Sequence, residues 1–191
     1  MEDQRNLLEI ARQAIIEATV HSRRWHPKTP DGVLAERRGL FVTLERRGKL
    51  RGCVGQMSAP DPLALAVAHC AVAAAGNDAR FSPVRPQEVA GLTIEISILS
   101  AFESIHATQI EIGRHGLMVA RGPFRGVLLP QVAIERRWTP ERFLRETCGK
   151  AGLPDNAWMS PETRLFGFTA ESFSEADFPA TVSHSSIEGQ V

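Results

Sequence analysis

Apolar residues recur at spacings of three and four over residues 4–21, where Leu7, Leu8, Ala11, Ala14, Ile15 and Ala18 alternate with Arg and Glu. That period predicts an amphipathic helix with one buried stripe. Residues 22–38 lose the period, and Pro27, Pro30 and Gly32 among several charges predict an irregular connector. Leu40–Leu44 and Leu50–Met57 flank the charged stretch Glu45-Arg46-Arg47-Gly48-Lys49, the pattern of a strand, a turn and a strand. Pro60-Asp61-Pro62 predicts the start of a helix over 61–76, with Asp61 as N-cap and Pro62 at the first helical position. That helix is apolar nearly all round, which predicts burial, and Gly76-Asn77-Asp78 ends it.

Further along, Ile94, Ile96 and Ile98 alternate with Thr93, Glu95 and Ser97, the period of a half-buried strand. Ile110–Pro130 is broken at Gly113-Arg114-His115-Gly116 and at Arg121-Gly122-Pro123, which predicts a three-stranded antiparallel meander. Thr139 caps a third helix, with Pro140 at its first position, running to about Lys150. Leu165–Phe173 predicts a final strand, and the tail after Ala176 has weak periodicity and reads as mobile. Hairpins and a meander joined to helices, without βαβ alternation, predict an α+β fold built from antiparallel sheets with flanking helices.

Composition narrows the function classes. Lys plus Arg and Asp plus Glu are both 22, so the formal net charge is zero, which argues against a dedicated nucleic-acid binder. The three cysteines, Cys53, Cys70 and Cys148, do not form an even disulfide framework, and a reducing compartment is expected. The N-terminus carries no secretory pattern, and the longest apolar run, Leu63–Ala75, is too short to span a bilayer. The protein therefore reads as cytoplasmic, with no membrane partner.

The most suggestive local chemistry is Arg51-Gly52-Cys53-Val54-Gly55, read as a turn. Glycines on both sides of a cysteine allow a sharp bend and close approach of another molecule. Arg51 is a positive neighbour that favours a thiolate. The competing reading is a strand with glycine bulges and a buried apolar cysteine. His69, the only ionisable side chain between Pro62 and Asn77, is either a proton carrier or a hydrogen-bonded core histidine. Adjacent His69 and Cys70 point about a hundred degrees apart on a helix, which disfavours a shared metal. Glu95 is a general base or a partner for Arg51 or Arg80 if its face meets the hairpin, and otherwise a surface carboxylate. The basic run Arg37, Arg38, Arg46, Arg47, Lys49 and Arg51 reads as a solvated hairpin tip or an anion-facing patch.

Six segments carry a resemblance to a known family. Leu50-Arg51-Gly52-Cys53-Val54-Gly55 resembles the LRGCIG signature of the AMMECR family, protein A of the AmmeMemoRadiSam system. Asp78-Ala79-Arg80-Phe81-Ser82-Pro83 resembles its D-x-R-F-x-P segment, and Leu92–Leu99 the strand that follows. Gly116–Val119, Gly126–Val132 and Thr147–Pro154 resemble three later segments in the family order, over roughly residues 35–173. Gly149 stands where the family usually has an aromatic residue, which implies a gap or opening beside Cys148. Ala79 replaces a common proline.

The resemblance implies a larger and a smaller lobe with the signature near a cleft between them. It also implies partners, a Memo-type protein and a radical SAM protein. Two readings follow. In one, an enzyme or enzyme subunit uses Cys53 as nucleophile or redox thiol, Glu95 or His69 for protons, and Arg51 or Arg80 for an anionic group. In the other, a binding or accessory protein uses the same cleft, with Gly52 and Gly55 admitting a ligand or partner. The sequence names no cofactor.

Overall fold

The computed structural model describes residues 1–58 and 60–178. The expected N-terminal stripe forms α1 (Glu2–Thr19), which buries Leu7, Leu8, Ala11, Ala14 and Ile15. Its partner is α2 (Leu63–Gly76), whose buried side carries Leu63, Ala66, Val67, Cys70, Ala71 and Ala74. Both helices lie on one face of a four-stranded antiparallel sheet made of β1 (Leu40–Arg46), β2 (Lys49–Gln56), β3 (Leu92–Leu99) and β8 (Ala170–Ser174). The strand order is β2-β1-β3-β8, so β2 is an edge. Alternation decides the buried face: Leu40, Val42, Leu44, Ile94, Ile96 and Phe173 join the helices in one core.

A second, smaller lobe holds β4 (Glu103–Ser104), β5 (Gly116–Arg121), β6 (Phe124–Leu128) and β7 (Arg164–Phe168) in the order β4-β7-β5-β6. It carries α3 (Pro130–Glu135) and α4 (Pro140–Lys150). As its position suggests, Thr139 caps α4, its hydroxyl accepting from the Arg142 N–H at 3.2 Å. The fold is α+β, with a larger and a smaller lobe.

Four local expectations are corrected. The hairpin turn is only Arg47-Gly48, both at positive φ (54° and 69°), so the strands extend further into the charged stretch than the hydropathy indicates. Pro62, not Asp61, is the N-cap of α2: its backbone is still extended (ψ 149°), and the Leu63 N–H is satisfied by the Glu36 carbonyl at 2.7 Å. The meander has two strands: residues 111–114 form a turn, the other neighbour of β5 is β7, and Pro130 opens a helix. The final strand is two strands in different sheets. Thr169 is the switch, its carbonyl accepting from Ser100 N–H and its own N–H donating to Ser100 Oγ, both at 2.9 Å. The mobile tail expected after Ala176 falls mostly on residues 179–191, outside the described residues. Among the described residues no helix is long and apolar enough to cross a membrane.

Candidate functional site

Arg51-Gly52-Cys53-Val54-Gly55 is strand, not turn, and its glycines serve packing within the chain. A Cβ on Gly52 would lie 2.1 Å from the Ala74 carbonyl oxygen of α2. A Cβ on Gly55 would lie 2.3 Å from the Phe41 ring and 2.4 Å from the Leu40 carbonyl oxygen. The first glycine lets the helix seat on the edge strand, and the second lets an aromatic ring lie across its neighbour. The expected sharp bend and close approach of a foreign molecule are therefore replaced by close approach of the protein to itself.

The arginines of the motifs protect the free edge of β2. Between Leu44↔Gly52 and Glu45↔Leu50 the register shifts, leaving Arg51 without a partner on β1. Its guanidinium grips Glu88 twice (3.2 and 3.1 Å) and donates to the carbonyls of Ser82 (2.9 Å) and Pro83 (3.3 Å). Glu88 also accepts from Arg46 Nη1 at 3.0 Å and the Arg85 N–H at 2.9 Å. Two residues on, Asp78 accepts the Cys53 N–H at 2.9 Å, and Arg80 donates to the Cys53 carbonyl at 3.3 Å. Arg80 also binds Asp78 through Nε at 2.9 Å and Nη2 at 2.7 Å. An acid–base pair thus occupies the place of a missing neighbouring strand.

Charge follows geometry. Arg80 and the Cys53 N–H hold the Asp78 carboxyl well below the usual carboxylate range. Arg51 first, then the Arg85 N–H and Arg46, bring Glu88 from an ordinary 4.5 down to about 2. Arg51 is thus committed to structure, while the Arg80 side chain stays 57% exposed at the rim and stacks over Phe81.

The face of the first sheet turned away from the helices carries the remaining chemistry. Register places Cys53, Thr43, Glu95 and Ser174 in one row across four strands. The next row is Gly55, Phe41, Ser97 and Ser172. Thr43 Oγ1 donates to Cys53 Sγ at 3.3 Å, and the Ser97 and Ser172 hydroxyls pair at 2.8 Å. Burial, then Glu45 and Asp177, push the Glu95 carboxyl up. Cys53 and Glu95 share this face but sit two strands apart, about 10 Å, with Thr43 between them. Thr43 and Phe41 did not stand out in the sequence; the two-residue turn together with the bulge at Arg51 sets them opposite Cys53 and Gly55, and the bulge leaves no local sequence signal.

His69 is not brought to this face. It lies on the outer side of α2 with its side chain 54% exposed, Nδ1 3.7 Å from Asp61 Oδ2 and its ring edge-on to His26. The core-histidine reading is corrected: the buried neighbour is Cys70, whose thiol burial pushes up to about 11. Cys148 is buried in the second lobe, and burial raises it too. Gly149 faces open space, as its departure from the family pattern implies, but that space does not reach Cys148, which is fully covered. Among the described residues no group of three or more His, Cys, Asp or Glu converges to hold a metal.

The AMMECR1 family profile matches residues 8–173. A protein from Methanothermobacter thermautotrophicus is 44% identical over 180 residues, covering 90% of this chain and 93% of its own. One from Thermococcus kodakarensis is 41% identical over 182 residues, covering 88% of each. The crystal structure of the uncharacterized protein PH0010 from Pyrococcus horikoshii superposes with a TM-score of 0.82 at 39% identity, covering 91% of both chains.

Proposed function

The chain belongs to the AMMECR1 family, and from that premise we propose that it is a component of a cytoplasmic modification system acting with Memo-type and radical SAM proteins. Its working surface is the helix-free face of the first sheet, and Cys53 is its reactive thiol. The observation that carries this reading is the Thr43 hydroxyl donating to Cys53 Sγ at 3.3 Å on a half-buried strand position. That hydroxyl hydrogen-bonds the sulfur where it would react, and the strand position leaves the thiol partly exposed. Cys70 and Cys148 are buried and lack that access. Phe41, lying across Gly55, and the exposed Ser172, paired with buried Ser97, occupy the next row of the same face. Glu95, in the same row as Cys53 and Thr43, handles protons through a bound molecule that bridges the face. Arg80, at the rim, meets an anionic portion of substrate or partner.

A second reading, a non-catalytic accessory protein using the same face, is favoured by one observation. Arg51 is already occupied by Glu88 and two carbonyls, and His69 lies elsewhere, so among the described residues no histidine partners the thiol. Reconstitution with a purified Memo-type protein and a radical SAM protein separates the two. Under the reactive-thiol reading, Cys53→Ser abolishes product formation while co-elution of the proteins persists. Under the accessory reading, Cys53→Ser changes neither and Phe41→Ala weakens co-elution. Absence of any association with either protein contradicts both.

A further inference from the structure

Among the described residues, two buried side-chain polar atoms lack a hydrogen-bond partner: Trp158 Nε1 and Thr163 Oγ1. Both residues line the same groove in the second lobe, a space of about 1030 Å³ between β4, the start of α4 and residues 158–165. Elsewhere buried hydroxyls are paired: Ser97 with Ser172, and Thr147 with the Phe143 carbonyl at 2.7 Å. Native proteins seldom leave such groups orphaned, and an orphan asks for a missing partner. Thr163 is only 9% exposed, so bulk water does not serve it.

The groove has the composition of a small-molecule site. Ile105, Leu144, Leu165 and the Trp158 ring give it an apolar floor. Glu141 and Arg164 bring one charge of each sign, so the lining selects for neither anion nor cation. Its walls are braced from within. His106 Nδ1 pairs with Thr108 Oγ1 at 2.8 Å, and the Ser160 carbonyl accepts the Thr163 N–H at 3.0 Å. Met159, 66% exposed and unbranched, lines the same groove and adds an adaptable apolar wall.

We propose that this groove binds a small uncharged ring compound bearing an amide or lactam group. An indole N–H can only donate, so Trp158 needs an acceptor. A threonine hydroxyl accepts from an N–H. An amide carries a carbonyl for the first and an N–H for the second, while its ring covers the apolar floor. The site shares no residue with the Cys53 face and stands or falls separately from it.

The test uses isotope-labelled full-length chain and the indole N–H signals of its three tryptophans, with Trp158→Phe assigning one of them. Three probes of similar shape are titrated: nicotinamide, benzoate and toluene. Nicotinamide is expected to shift the Trp158 indole signal and to bind at least about tenfold more tightly than the other two. Thr163→Val is expected to weaken nicotinamide about tenfold and Thr163→Ser to restore it. An unmoved Trp158 signal, equal binding of toluene or benzoate, or equal binding by Thr163→Val overturns the proposal. The comparison of probes on the unaltered chain decides the matter even if Thr163→Val fails to fold.

Discussion

Replacing Gly52 by alanine is expected to destabilise the protein by about 3 kcal/mol, near the upper end for overpacking a close contact. The added Cβ would sit 2.1 Å from the Ala74 carbonyl oxygen, and that oxygen belongs to helix backbone that cannot swing aside. Either α2 lifts from β2 or the edge strand bows outwards, and both loosen the core that includes Ala71, Ala74 and Leu44. For a chain of this length that corresponds to a drop in Tm of roughly 6–12 °C, measured by thermal unfolding. Gly149→Ala is the matched control. It sits in α4 with nothing within 4 Å of the new methyl, and alanine there should raise stability by about 0.5–1 kcal/mol. Equal melting temperatures for Gly52→Ala and the unaltered chain would show that the helix does not rest on the edge strand.

Removing Glu88 should be comparably costly and should also change the response to acid. Glu88→Ala leaves Arg51, only 15% exposed, without its carboxylate and frees Arg46 and the Arg85 N–H as well. Breaking a buried pair from one side costs about 3–5 kcal/mol, and the partial exposure of Arg46 moves this case to the lower end. A carboxyl whose folded value lies below its ordinary one stabilises the fold only while ionised. The Glu88 contribution is therefore complete above 4.5 and disappears as the pH falls towards about 2. Asp78, depressed in the same direction, reinforces the loss. Melting curves across that window should show the unaltered chain losing more stability than Glu88→Ala. Parallel curves would mean that Arg51 gains nothing from Glu88.

Local periodicity carried much of the architecture. Ile94, Ile96 and Ile98 alternate because β3 buries one face, and the α1 stripe is legible because its other side meets water. Hydropathy fails where an element is apolar all round. In α2 it cannot say which face looks outwards, so His69 reads as a core residue when it is exposed. It fails again at Thr169, where the stretch Leu165–Phe173, read as one strand, passes from one sheet to another through hydrogen bonds with Ser100, far away in the chain. The cysteine motif was visible, but its setting was not. Reading a five-residue turn around Arg47-Gly48 blurs the register that puts Thr43 beside Cys53. The pairing of Arg51 with Glu88 and of Cys53 with Asp78 spans 37 and 25 positions, beyond any local pattern.

The most direct test of the central claim, that Cys53 is a reactive thiol on the helix-free face, is site-resolved alkylation of the folded chain by mass spectrometry. The expected result is rapid modification at Cys53 alone, with Cys70 and Cys148 protected until the protein unfolds. Thr43→Val, which removes the hydroxyl at the sulfur but keeps its shape, should slow Cys53 several-fold. A Cys53 no faster than its buried counterparts, or a rate untouched by Thr43→Val, would contradict the account.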